Sequence, residues 1–165
     1  LRIKQKKGQF MRQIDMDKTD RKTLALLQAD GRMTNAELAQ RISLSPSACL
    51  RRVQRLEAAG VIAGYVALVS QEAVGRPTSI FVEVTLKSQS EEALKAFERA
   101  VRACPDVMEC YLMSGDADYL IRVVAADTQD YERIHKQHLT RLPGVARIRS
   151  SFALRAICKK TALDV

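Results

Sequence analysis

The stretch Ser45-Pro46-Ser47-Ala48-Cys49-Leu50-Arg51-Arg52-Val53-Gln54-Arg55-Leu56 sets an apolar stripe against a row of hydrogen-bond donors. Wound as a helix, Cys49, Val53 and Leu56 fall on one side at i, i+4 and i+7. Ser47, Arg51, Gln54, Arg55 and Ala58 fall on the other. Hydroxyl, amide and guanidinium donors match the acceptors on base edges and phosphates. Ser45 is a good N-cap and Pro46 suits the first helical position, so this helix opens with free backbone N–H groups facing any phosphate. Ser47 and Arg51, early on the helix, are assigned to base edges, Arg52 and Arg55 to phosphates, and Ser45 to the helix N-terminus. The bland alternative is a solvated, arginine-rich face on an ordinary helix. The elements in front of it decide between the two.

A second cluster is Gly115-Asp116-Ala117-Asp118-Tyr119. Gly and Asp favour a hairpin turn for conformational reasons alone. The same carboxylates and backbone N–H groups could hold a zwitterion. Both readings stay open on the residues.

Other chemistry is thinly represented. Cys49, Cys104, Cys110 and Cys158 form no C-x-x-C pair, so no zinc site is expected; Cys49 and Cys110 sit in apolar patterns as core residues. His135 and His138 are three apart on a helical segment, with no further ligand in sight, and are read as surface or interface side chains. No Ser-His-Asp set, Walker loop or G-x-G-x-x-G occurs, so an enzyme has no positive support. No signal peptide and no apolar run near the roughly 20 residues of a membrane span are found. Reduced thiols and a cytoplasmic location are expected.

Three helices are expected to position the donor row. Asp17 to Asp30 carries Leu24, Leu26 and Leu27, with Gly31 as its stop. Thr34 and Glu37 form a capping box for a helix burying Leu38 and Ile42. Ser43-Leu44 makes the turn into the third helix, which runs to about Ala59 and stops at Gly60. A helix, a turn of about three residues and a second helix make a helix-turn-helix. Val61 to Val69 reads as a turn and an extended segment, a small wing and a linker strand, with Gly75-Arg76-Pro77 at the boundary.

Beyond it strand and helix alternate. Ile80–Leu86, Val107–Met113, Tyr119–Val124 and Arg147–Ile157 read as strands; Ser90–Ala103 and a segment from near Thr128 to Arg141 read as helices. The order βαββαβ is the split arrangement of ferredoxin-like domains. Helices then cover one sheet face and leave the other for a partner, which favours oligomers. RNA-recognition modules share this order, but they stack bases on sheet aromatics, and aromatics are only 5% here. An amino-acid-metabolising enzyme regulated by such a domain would need catalytic residues that 1–76 do not offer.

The net charge is +8, but four of the basic residues lie in the first ten, where there is no acid. Arginine placement, rather than net charge, carries the nucleic-acid reading. Residues 1–14 are expected to be a disordered or cloning-derived tail, with Met11 as the natural start.

The wording of these segments resembles the Lrp/AsnC ("feast/famine") transcriptional regulators of bacteria and archaea. The matching stretches include Asp30-Gly31-Arg32, Thr34-Asn35-Ala36-Glu37-Leu38, Leu44-Ser45-Pro46, Cys49-Leu50-Arg51-Arg52-Val53 and Gly64-Tyr65. In the second half they include Glu109-Cys110-Tyr111, Gly115-Asp116-Ala117-Asp118-Tyr119-Leu120, Leu142-Pro143-Gly144-Val145 and Ser151-Phe152. The resemblance covers essentially residues 15–165.

It implies an α+β chain in which a winged helix-turn-helix (15–64) is joined by a linker strand and hinge (65–77) to a ferredoxin-like sensing and oligomerisation domain (78–165). It implies a sequence-specific DNA-binding regulator rather than an enzyme, with double-stranded DNA, a free amino acid and its own copies as partners, no cofactor and no membrane. Family members form dimers, usually assembled into octamers, with the amino acid held between dimers. The residues this carries over are Gly115, Asp116, Asp118 and Tyr119 on the turn, Thr140 after the second helix, and Ser151, Phe152 and Ala153 on the last strand. In that site Asp118 would accept the ammonium group, turn N–H groups near Gly115 and the Ser151 hydroxyl would meet the carboxylate, and Leu112 and Phe152 would line the side-chain pocket. Leucine-responsive relatives carry larger apolar or aromatic residues where this chain has Thr140 and Ser151, so a more polar pocket is expected.

Overall fold

A computed structural model describes residues 15–165, so the reading of 1–14 lies outside the described residues. The chain divides into two compact units. One holds the described residues up to Leu68 together with Cys158–Val165, and the other is Val69–Ile157.

The first unit contains α1 (Lys18–Ala29), α2 (Asn35–Arg41) and α3 (Pro46–Ala58). Each helix start is capped by its own sequence. Asp17 and Asp20 form a capping box on α1, Thr34 and Glu37 form one on α2, and the Ser45 hydroxyl accepts from the Ala48 N–H at 3.3 Å on α3. The turn between α2 and α3 is a Schellman motif. Leu44 N–H reaches Ala39 O at 2.9 Å and Ser43 N–H reaches Gln40 O at 3.2 Å. That motif needs a left-handed residue, and Ser43 supplies it with φ 57° where glycine is the usual choice. Leu38, Ala39, Ile42 and Cys49 form the core, with Leu26, Leu27, Met33, Leu44 and Val53 packed on it. The C-terminal residues join this unit through Gln28 of α1. Its side-chain amide accepts from Leu163 N–H at 2.7 Å and donates to Leu163 O at 3.0 Å.

The expected linker strand is not formed. Residues 61–77 contain no strand, and Val66, Leu68 and Val69 are largely exposed. An extended segment becomes a strand only when a neighbour supplies ladder partners, and this stretch has none among the described residues.

The second unit contains β1 (Thr78–Leu86), α4 (Glu91–Ala103), β2 (Val107–Leu112), β3 (Tyr119–Ala125), α5 (Thr128–Gln137), a 3-10 turn (Leu139–Arg141) and β4 (Val145–Phe152). The sheet order is β2-β3-β1-β4 with every neighbour antiparallel, as βαββαβ connectivity requires. Alternation along the strands sorts the side chains. Ile80, Val82 and Val84 of β1 and Tyr119, Ile121 and Val123 of β3 are buried in one core with Phe97, Val101, Tyr131 and Ile134 of the helices. Phe81, Glu83 and Thr85 occupy the other face, paired in register with Ser151, Arg149 and Arg147. β4 ends at Phe152 rather than at Ile157. β1 begins at Thr78, the last bond to it is Ala153 N–H to Ser79 O, and beyond that Leu154 and Ile157 are exposed.

Candidate functional site

On α3 the expected division of faces is present. Cys49 and Leu56 are buried, while Ser47, Leu50, Arg51, Gln54, Arg55 and Ala58 are exposed. The Ser45 and Ser47 hydroxyls lie 3.2 Å apart at the helix start. Arg51 makes no ion pair among the described residues. Asn35 of α2 donates to Pro46 O at 2.9 Å and ties the start of α3 to α2.

Two arginines are not where the sequence expectation placed them. Arg52 Nη1 lies 2.8 Å from Asp17 and 2.5 Å from Asp20, and Arg55 Nη2 lies 2.5 Å from the second Asp20 oxygen. Asp20 is fully buried and Arg52 largely so; Arg55 stays half-exposed. Arg52 is therefore corrected from a phosphate contact to a brace between α3 and α1, and Arg55 serves the brace with only part of its guanidinium left for phosphate. A buried carboxylate must find cations, and these are the nearest ones. Asp17-x-x-Asp20 has the spacing of a capping box, and nothing in it points to Arg52, 35 residues further along the chain from Asp17.

The brace sets an acid sensitivity. Burial pushes the Asp20 carboxyl up, but hydrogen bonds from Arg55, Arg52 and the Asp17 N–H outweigh it, and its pKa ends below the ordinary 3.8. Hydrogen bonding to Arg52, then to the Asp20 N–H, also lowers Asp17. Depressed folded values mean stability that is full above the unfolded pKa of about 4 and is lost as pH falls through the folded values. Denaturant midpoints measured from about pH 5 downward are expected to fall less steeply in Asp20→Asn than in the wild type. Parallel curves would show that the brace carries no such linkage.

In the second unit the turn between β2 and β3 is held from beneath. Asp118 is 7% exposed; one oxygen accepts from Leu86 N–H at 2.7 Å and the other from the Gln89 side-chain amide at 2.7 Å. Asp118 was expected to receive a ligand's ammonium group; in one protomer it is instead largely buried, and each of its oxygens already accepts a hydrogen bond that holds the turn. Tyr119 is corrected likewise. It points into the helix-side core, its ring 4.4 Å from that of Phe97 and its hydroxyl 3.3 Å from Glu98, and burial, with Glu98 beside it, pushes its phenol up to about 12. Gly115 and Asp116 remain exposed. Gly115 has φ 153°, a conformation that L side chains rarely adopt, with open space where a side chain would stand.

Thr140 is exposed in the 3-10 turn, its hydroxyl donating to Lys136 O at 3.1 Å. Ser151 and Phe152 look in opposite directions. Ser151 shares the open face with Phe81, whereas Phe152 packs edge-on against Tyr131, ring centroids 5.3 Å apart. The turn attaches at Val84, through Asp118 N–H, and the strand end attaches at Ser79, through Ala153 N–H. Five residues of strand separate the two, about 16 Å. One protomer therefore does not bring the turn and the Ser151–Ala153 segment together.

Close to the turn the open face carries Glu83, Thr85, Arg147 and Arg149, which line a shallow pocket with Asp116 and Ala117. Arg149 pairs with Glu83 at 2.7 Å. Strand alternation could have placed these residues on one face, but nothing in their spacing marked them out. The histidines diverge: His135 lies beside the Tyr131 ring, while His138 Nε2 stands 3.9 Å from Asp106, itself held by Arg76 at 2.7 Å. Burial pushes the Cys110 thiol up to about 11, which keeps it unreactive at neutral pH. Among the described residues no helix is long and apolar enough to cross a membrane.

Comparison with known proteins covers both units. Residues 16–63 match the family model for winged helix-turn-helix DNA-binding, and residues 79–163 match that for the Lrp/AsnC ligand binding domain. The chain is 41% identical to the Bkd operon transcriptional regulator of Pseudomonas aeruginosa over 148 residues, 90% of this chain and 97% of that protein. It is 38% identical to the leucine-responsive regulatory protein of Escherichia coli K12 over 151 residues, 92% of each. Among solved structures it resembles the L-Met complex of a Neisseria meningitidis transcriptional regulator, with 38% identity, TM-score 0.84, and coverage of 90% of this chain and 96% of that one.

Proposed function

The chain belongs to the Lrp/AsnC family of transcriptional regulators, and from that premise we propose that its sequence-specific DNA binding or its assembly responds to a free amino acid. It is a regulator with a helix-turn-helix DNA-binding domain and a ligand-binding domain, not an enzyme. Ser45, Ser47 and Arg51 meet the DNA from the first turns of α3, with Arg55 at the margin. The amino acid sits at an interface between copies, between the Gly115–Asp116 turn of one and Thr140, Ser151, Phe152 and Ala153 of another. Asp118 and Tyr119 hold that turn rather than touch the ligand. The protein acts in the cytoplasm as a dimer or as an octamer assembled from dimers.

The observation that carries the amino-acid reading is the L-Met complex of the Neisseria meningitidis regulator, since 90% of this chain superposes on that fold at 38% identity. The test is a thermal-shift screen of the full chain against the twenty amino acids, with methionine and leucine first. Binding to the folded state alone stabilises by about 2.7 kcal/mol at a hundredfold excess over Kd, so a true effector raises the midpoint by several degrees. A flat screen overturns the reading and leaves a regulator without an amino-acid effector.

A further inference from the structure

We propose that Asp20 of α1 is a positioning residue for DNA binding, deciding which arginines of the recognition helix are free to meet DNA. This rests on the reading that α3 faces DNA. The three arginines of α3, Arg51, Arg52 and Arg55, differ in what holds them. Arg51 points outward with no ion pair among the described residues. Arg52 is folded back across Asp17 and Asp20, and Arg55 reaches the remaining Asp20 oxygen while staying half-exposed.

The geometry works as a divider. Asp20 is fully buried, so its charge is met by these two cations rather than by water. Its position is fixed by the capping box, Asp20 N–H to Asp17 at 2.7 Å and Asp17 N–H to Asp20 at 3.1 Å. Two guanidiniums gripped by one fixed carboxylate set both the rotation and the height of α3 against α1. That leaves Arg51, with Ser47 beside the helix start, as the side chains delivered to base edges. It also withholds charge: Arg52 is neutralised, and Arg55 is shared between Asp20 and any phosphate that approaches.

Sharing is measurable through salt dependence, because each phosphate neutralised adds about 0.9 to the slope of log affinity against log salt. The probes are a duplex selected by the wild-type full chain from a random pool and a scrambled duplex of equal composition. In the wild-type background Arg55→Gln is expected to change the slope by much less than about 0.9, and in the Asp20→Asn background, where Arg55 is released, by about 0.9. Preference for the selected duplex is expected to fall at least several-fold in Asp20→Asn, since α3 has lost its brace. A purely structural Asp20 would lower the melting temperature without making the effect of Arg55→Gln depend on background. Equal slope changes in the two backgrounds overturn the proposal. Should Asp20→Asn not give the wild-type circular dichroism, the same cycle is run on Asp20→Asn with Arg52→Gln, which sets amide against amide, and the same criterion applies. Arg51→Gln separates the two ways of failing. If it leaves the preference for the selected duplex unchanged, α3 does not read DNA, and both readings fall together.

Discussion

Asp118→Ala is expected to cost the unit Val69–Ile157 about 2–4 kcal/mol. The carboxylate accepts two charge-assisted hydrogen bonds, one of them from the N–H of Leu86, which is itself buried. Alanine leaves that N–H without a partner, and a stranded buried donor costs more than the hydrogen bond contributed. In a unit of this size the melting temperature is expected to drop by roughly 10 °C or more. Asp118→Asn is expected to lose much less, because its oxygen still accepts from Leu86 and the Gln89 amide can turn its own oxygen toward the new N–H₂. Denaturant midpoints of the three proteins decide it. If Asp118→Ala lies within about 0.5 kcal/mol of the wild type, the turn is held by something else. On the proposed reading a weakened amino-acid response in a destabilised Asp118→Ala reports a loosened turn rather than a lost ligand contact, and Asp116→Asn, exposed and outside this network, is the variant that asks about contact.

Arg51→Ala is expected to weaken binding to a preferred duplex by about 1–3 kcal/mol, five- to over a hundred-fold, while changing affinity for scrambled DNA far less. Arg51 sits in the second turn of α3, exposed and without an internal ion pair among the described residues, so the substitution removes no support from the fold. Arg52→Ala should do the opposite. It takes the partner from a buried carboxylate, so the melting temperature falls first and DNA binding follows. Titrations of both duplexes alongside thermal melts separate the two. Loss of affinity without loss of preference in Arg51→Ala would move this arginine from base edges to phosphate.

Elements set by local rules were legible in the sequence. Thr34 with Glu37 and Ser45 with Pro46 mark helix starts whose reasons lie within four residues, and both starts are where they were expected. The βαββαβ order followed from period alone. What depends on partners far along the chain was not legible. Arg52 and Asp17 are 35 residues apart, and periodicity alone gives α3 an outward row of cations without saying which of them α1 will claim. Asp118 reads as an exposed turn carboxylate until Leu86 and Gln89 are brought beneath it. Ser151 and Phe152 are neighbours in sequence, and a strand makes neighbours face apart.

The turn and the end of β4 attach to β1 about 16 Å apart, and this separation has a genetic consequence. Parts that far apart on one chain can frame a single small ligand only if each is lent by a different copy. Two defective proteins, one damaged at the turn and one at the strand end, would then each retain the half that the other lacks. Co-expressed, they should rebuild some whole sites at mixed junctions and recover part of the amino-acid response, whereas two different lesions in the same half should never complement.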